Sequence, residues 1–91
     1  MAEDARHDTE QRLLSSSDEV LRAAGELREI ERRKRLEKVS TEEFHRLADI
    51  SERMSRHIFR AAAEETDAAD ELPSGSSSIE EIAAEREGKS E

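Results

Sequence analysis

The sequence predicts an all-α protein whose ordered body is an antiparallel hairpin of two helices, over about residues 17–37 and 41–71. Apolar residues recur every three or four positions on both sides of a short break at Val39 and Ser40, as they do along one face of a helix. Helices joined by so short a connection usually pack side by side in opposite directions. A single longer helix with a kink at the break is the alternative.

The first helix is predicted from a start signal at Ser16. Ser16 and Glu19 have the spacing of a capping box, in which each side chain bonds the backbone amide of the other residue. Residues 1–15 have no clear apolar period, and we expect a flexible start to the chain there. The helix then carries one apolar stripe, which consists of Val20, Ala23, Ala24, Leu27 and Ile30. Charged residues follow to about Glu37, and acids placed four positions before bases support a helix that far.

The second helix has the strongest start signal in the chain. Ser40 and Glu43 form another capping box, while Val39 and Phe44 occupy the two positions of a hydrophobic staple. One broad face of this helix then carries the apolar residues Phe44, Leu47, Ala48, Met54, Ile58, Phe59, Ala61 and Ala62. Written as heptads, the seam becomes more polar toward the end of the helix, so a long regular coiled coil is not expected.

The chain beyond the hairpin is predicted to be a flexible, acidic tail over residues 73–91. Pro73 cannot continue a helix, and the serines and Gly75 that follow have the composition of a flexible linker. The predicted organisation is therefore a flexible start over 1–15, a helical hairpin over 16–72 and this tail.

A short helix over residues 79–87 is predicted inside the tail. Ser78 and Glu81 form a third capping box, and Ile79 and Ile82 then lie on one side of the helix. A helix of this length is marginal in isolation, so we expect it to fold when it meets a partner. An inert segment that raises solubility is the alternative.

The composition limits what the protein can do. Of its 91 residues 43% are charged and only 33% hydrophobic, which permits one small domain at most. The formal net charge is −9, and residues 61–91 contribute most of it, with ten acidic and two basic side chains. This charge disfavours nucleic acid and anionic membranes as partners, because like charges repel.

The composition also predicts the cellular compartment. The chain has no cysteine, which excludes disulfides and thiolate chemistry. No apolar run approaches the roughly 20 residues of a membrane-spanning helix, and the acidic start does not resemble a signal peptide. We expect a cytoplasmic protein with no membrane partner, and the abundance of Arg and Ala suggests a bacterial source with a GC-rich genome.

Three groups of residues are candidates for function. The protein-binding group is the apolar face of the second helix, because large Phe and flexible Met side chains suit partner recognition. It consists of Phe44, Leu47, Met54, Ile58 and Phe59. The basic cluster, which can contact phosphates or simply complement the helix dipole, consists of Arg32, Arg33, Lys34 and Arg35. The tail motif consists of Ile79 and Ile82.

No catalytic residue, cofactor or metal site is predicted. A two-helix hairpin offers no concave pocket, and His45 and His57 lie about 120° apart around the second helix, so they cannot converge within one chain. Glu42 and His45 have the Glu-x-x-His spacing of di-iron carboxylate bundles. Both point away from the apolar stripe, which leaves a metal-binding hairpin dimer as a lesser alternative.

These features favour a small, non-enzymatic helical protein that acts by protein–protein interaction or self-association. A lone hairpin buries too few apolar side chains to offset the ordering of two helices, so we expect a homodimer or a protein partner. The alternative from another class is a small, antitoxin-like regulator that contacts nucleic acid through the basic cluster.

Overall fold

The computed structural model describes residues 2–73 and 75–89, and every regular element in these two ranges is an α-helix. Helix α1 spans Ala2–Arg35, α2 spans Glu42–Glu71 and α3 spans Ile79–Lys89. The two long helices pack together, and the short α3 packs against α1. The body is elongated, with dimensions of 57 × 27 × 19 Å.

Helices α1 and α2 run antiparallel, which confirms the predicted hairpin. Arg12, in the first half of α1, bonds Glu71 at the end of α2 with an N–O distance of 2.6 Å. Lys34, at the other end of α1, lies over the ring of Phe44 near the start of α2, with 5.9 Å from Nζ to the ring centroid. This order of contacts excludes the single kinked helix. We call the end with the connecting turn the loop end and the opposite end the open end.

Helix α1 begins at Ala2, so the predicted helix start at Ser16 is wrong. Ser16 lies inside α1 and is buried. It occupies the same heptad position as the buried Ala23, and small side chains at these positions allow two helices to approach closely. Residues before Ser16 continue the helix because Leu13 and Leu14 pack into the core, and such packing stabilises a helix that local sequence alone does not.

The connection between the long helices is longer than predicted. It occupies residues 36–41, and the N-cap of α2 is Thr41 where the sequence predicts Ser40. The Oγ1 of Thr41 accepts a hydrogen bond from the Phe44 amide at 3.1 Å. The predicted staple is also absent, because Val39 is largely exposed.

The shift of the cap explains why the predicted capping box does not form. With Thr41 as the cap, the third helical position holds Phe44, which has no carboxylate to accept a hydrogen bond from the Thr41 amide. Glu43 instead accepts a hydrogen bond from Arg46, one turn further along, with a distance of 2.5 Å.

Helix α3 confirms the predicted short helix and its start signal. The Oγ of Ser78 accepts a hydrogen bond from the Glu81 amide at 3.1 Å. In the preceding linker Gly75 has a φ of 84°, a conformation that other residues adopt only with strain. The chain therefore turns back after α2, and α3 lies against the hairpin.

The hydrophobic core is small and lies toward the open end. Among the described residues, the buried apolar side chains are Leu13, Ala23, Leu47, Ala68 and Ile82. Leu13, Ala68 and Ile82 come from three different helices and form one cluster. The partly buried side chains packed against that cluster are Leu14, Leu72 and Ile79. The tail helix is thus part of the core and not an appendage to it.

Candidate interaction surface

The five residues of the predicted protein-binding face lie in different environments. Leu47 is only 1% exposed, so it belongs to the core. Phe44 is half-buried, with its ring under Lys34, and Met54 and Ile58 are also half-buried. Phe59 is 74% exposed. Of the five, Phe59 is therefore the large side chain that is most available to a partner.

Helix α3 covers one side of the hairpin at the open end. Ile82 is 2% exposed and contacts the core cluster, and Ile79 packs beside it. Arg86, on the next turns of α3, donates a hydrogen bond to the carbonyl of His7 at 2.9 Å and another to the side chain of Gln11. These contacts hold α3 along the first third of α1 and define what we call the α3 side of the hairpin.

Leu21 lies on the α3 side, just beyond the reach of α3. A residue seven positions along a helix lies on nearly the same side and about 10.5 Å further on. Leu21 therefore follows Leu14, which packs against the cluster that includes Ile82. Unlike Leu14, it is 71% exposed.

Phe59 of α2, like Leu21 of α1, lies on the α3 side just beyond the reach of α3. Thr66, seven residues later in α2, borders the same depression as Ile79 of α3 and so lies on the α3 side. Phe59 borders the neighbouring shallow depression together with Thr66 and Ala62. Phe59 is thus also displaced from α3 by one heptad, toward the loop end.

Leu21 and Phe59 lie within about 6 Å of each other in height along the hairpin. Glu19 and His57 bridge the two helices, with 2.6 Å between Glu19 Oε1 and His57 Nε2. Leu21 and Phe59 each lie two residues beyond one member of this bridge, and because the helices run antiparallel they are displaced from it by about 3 Å in opposite directions. Together with the half-buried side chains next to them, they form what we call the central patch: Val20, Leu21, Ile58, Phe59 and Ala62.

The charge of Glu19, in the bridge to His57, is stabilised by its neighbours. Hydrogen bonds from Arg22, and then from His57, lower the pKa of Glu19 from 4.5 to about 2. Arg22 also bonds Glu26, one turn further along α1. The negative charge of Glu19 is thus stabilised at neutral pH and contributes to the contact between the two long helices.

The basic cluster does not form a single surface. Its four residues are consecutive at the end of α1, and consecutive residues project about 100° apart around a helix. Lys34 is half-buried and bonds Glu31 at 2.7 Å, and this bond is the first cause of the lowered pKa of Glu31. Arg32, Arg33 and Arg35 are exposed.

The candidate metal motif is also separated from the core. Glu42 and His45 are both exposed at the start of α2. Within residues 2–73 and 75–89, no group of three or more His, Cys, Asp or Glu side chains is placed to hold a metal ion. A groove of about 640 Å³ beside α3 has Arg6, Glu10, Glu85 and Arg86 in its lining, so it is strongly polar.

Two residues that matter here, Leu13 in the core and Leu21 on the surface, are not among the residues predicted from the sequence. Leu13 begins a stripe that continues through Ser16, Val20, Ala23, Leu27 and Ile30 at helical spacing. Extending the period back past the serines would have found it. Leu21 is one heptad from Leu14, but only the position of α3 distinguishes the covered leucine from the exposed one.

The chain matches no protein-family model, and neither a curated protein nor a solved structure is similar to it. None of the helices in the described part of the chain combines the length and the apolarity of a membrane span.

Proposed function

We propose that this protein is a non-enzymatic interaction module that acts by binding another protein chain through the central patch. The observation that carries the proposal is the exposure of Leu21 and Phe59, at 71% and 74%, near the middle of one side of the hairpin. Large apolar side chains that are exposed together mark interaction surfaces in soluble proteins. The setting we propose is the cytoplasm, in keeping with the cysteine-free composition.

The small size of the core also supports binding as the function. Only five apolar side chains are buried among the described residues, although the three helices together span 75 residues. A partner that covers the central patch would add buried apolar surface at the middle of the hairpin, where α3 does not reach. Binding would therefore stabilise the hairpin as well as recruit the partner.

A protein partner fits the patch better than a small ligand does. The depression beside Phe59 is shallow and is formed by one helix, with Ala62, Ala63 and Thr66 in its lining. Small-molecule sites are concave and enclose most of their ligand, whereas a broad face with small residues beside large ones suits a packed helix.

The nucleic-acid and metal alternatives have less support. Of the predicted basic cluster only Arg32 and Arg35 share a face of α1, because Arg33 projects away from both and Lys34 is engaged by Glu31. For a metal, Glu42 and His45 would need ligands from another chain. Neither alternative uses the exposed apolar side chains.

A photo-crosslinking amino acid in place of Phe59 tests the proposed function in cells that produce the protein naturally. We expect an adduct with a protein chain, identified by mass spectrometry, and we expect Leu21→Glu in the same chain to abolish it. The matched control places the same amino acid at Leu36, which is 87% exposed but lies in the turn at the loop end. Equal adducts from positions 36 and 59, or none from either, would contradict the proposal.

A further inference from the structure

The α3 side of the hairpin carries an ordered pattern of charge. At the open end it is covered by α3, which has four acidic residues and two basic residues. The central patch follows, and beyond it Arg28 and Arg35 continue the heptad stripe of Leu21 toward the loop end. From the open end to the loop end, the α3 side is therefore first acidic, then apolar and then basic.

The basic part of this pattern is free to meet an outside partner. Arg28 and Arg32 are exposed, and neither forms a salt bridge within the part of the chain that the structure describes. Residues 28–46, at the loop end, carry seven basic and five acidic side chains, although the chain as a whole has a net charge of −9. The loop end is thus the positive end of an acidic protein.

The α3 side of one copy is complementary in charge to the α3 side of a second copy that runs in the opposite direction. A two-fold axis through the central patch superposes the patch of one copy on that of the other. The same rotation brings the acidic end of each copy to the basic end of its partner. Isologous dimers require this kind of self-complementary surface, in which one patch serves both subunits.

The distances along the helix agree with this arrangement. Leu14, beside the start of α3, and Arg28 lie seven residues on either side of Leu21, about 10.5 Å in each direction. Rotation about Leu21 therefore brings the position of Leu14 to that of Arg28. The α3 helix of one copy, which begins at this level, falls beside Arg28, Arg32 and Arg35 of the other.

We infer that the chain that covers the central patch is a second copy of this protein, related by the two-fold axis so that the two hairpins run antiparallel, an arrangement that we call head to tail. The acidic α3 of each copy then lies beside Arg28, Arg32 and Arg35 of the other copy. The inference rests on the proposed function and names its partner. Unlike-charge contacts at both ends orient the two copies and accelerate their encounter, while the apolar centre supplies most of the affinity.

The mass of the purified full chain, measured by light scattering after size separation across serial dilution, tests for the dimer. We expect a dimer that Leu21→Glu or Phe59→Glu weakens by at least about a hundredfold in dissociation constant, because each charge enters the interface twice. The matched control is Leu36→Glu, which should leave the dimer intact. Circular dichroism of each variant separates lost association from lost helicity, and both substituted side chains are exposed enough to leave the fold in place.

The head-to-tail direction is tested by spin labels on single introduced cysteines, because the chain has none of its own. Leu36 is 15 residues from Leu21, so labels on Leu36→Cys in the two copies should be roughly 45 Å apart in a head-to-tail pair. In a parallel pair they would be close together. Labels on Leu21→Cys should be close in the head-to-tail pair.

Charge reversal tests the contacts at the two ends. Arg28→Glu with Arg32→Glu reverses two charges at the basic end, and separately Glu80→Lys with Ala84→Lys makes the net charge of α3 positive; each should weaken self-association by about tenfold or more. A mixture of the two double variants should recover the dimer, since each then offers the charge that the other needs. The control substitution is Arg60→Glu, an exposed site on α2 outside the pattern.

Three results would overturn the inference: a wild-type chain that is monomeric at every concentration, a dimer that does not respond to Leu21→Glu, or close Leu36→Cys labels. A monomer in vitro together with a Phe59 crosslink to a different protein in cells would reject the second copy and retain the proposed function. Absence of both would reject both.

Discussion

Leu47 is the largest side chain that is completely buried in the described part of the chain. It lies in the first turns of α2, well away from the cluster that joins all three helices at the open end. Few other apolar side chains near the loop end are buried. The packing of α1 against α2 in that half of the hairpin therefore depends on this one leucine more than on any other residue.

Leu47→Ala should lower the free energy of unfolding by about 3 kcal/mol, because the substitution removes buried methyl groups and leaves a cavity. Urea denaturation followed by circular dichroism measures the change. Leu36→Ala, at an exposed leucine, should change it by less than about 0.5 kcal/mol. Similar losses from both substitutions would contradict the assigned core.

Acidification should weaken the hairpin through Glu19. Its pKa is lowered to about 2 by hydrogen bonds from Arg22 and His57, so its charged form stabilises the folded state. This contribution is present above the ordinary pKa of 4.5 and is lost as the pH falls from 4.5 to 2.

Thermal unfolding across this pH range should therefore depend less on pH in Glu19→Gln than in the wild type. The matched control is Glu29→Gln, at an exposed glutamate of the same helix. It should keep the wild-type dependence. A Glu19→Gln profile that overlays the wild type would show that the bonds of Glu19 to Arg22 and His57 do not contribute.

At the scale of the element, helix starts depend on single side chains. Thr41→Ala removes the acceptor for the Phe44 amide at the start of α2, and we expect a loss of about 1 kcal/mol in unfolding free energy. Ser40→Ala, one residue earlier, should be nearly neutral. The pair of variants, compared by denaturation, distinguishes the two cap positions, and the opposite order of effects would favour Ser40.

Helix α3 is a short element held by tertiary contacts. Ile82→Asp should release it, since a carboxylate cannot be buried against Leu13 and Ala68 without a partner. Hydrogen exchange should then show loss of amide protection over residues 79–89 and weaker protection in the first turns of α1. Ala84→Asp, on the exposed side of α3, should retain both. Unchanged protection in Ile82→Asp would mean that α3 is stable without this contact.

For the whole molecule, the important property is the separation of charge between the ends. The described residues 61–73 and 75–89 carry nine acidic and two basic side chains, and in the fold they lie at the open end with α3. The basic excess lies at the other end of a body 57 Å long. The protein is therefore strongly polarised along its length.

Salt should weaken the proposed dimer, because screening shortens the range of attraction between its ends from about 10 Å at 0.1 M to about 3 Å at 1 M. Light scattering at several ionic strengths measures the dissociation constant. The mixed dimer of the Arg28→Glu/Arg32→Glu variant with the Glu80→Lys/Ala84→Lys variant should weaken with salt in the same way. A dimer held by the apolar patch alone would strengthen or stay unchanged as salt is added.

Much of the fold could be predicted from the sequence because its signals are local. The bounds of α2 agree with prediction to within one residue, and the Ser78 start of α3 is confirmed. The predicted start at Ser16 is wrong because a serine followed three residues later by a glutamate also occurs inside helices. Only contact with other helices decides which role it takes.

The sequence by itself determined the helical class, the antiparallel hairpin and the acidic end, since period, turn residues and charge are properties of neighbouring positions. The tertiary structure alone decided that α3 folds back, that Leu47 is core and that Leu21 and Phe59 share one exposed patch. Those outcomes depend on which faces meet across 40 to 70 residues of chain. Spacing along one helix does not specify how that helix is rotated against another.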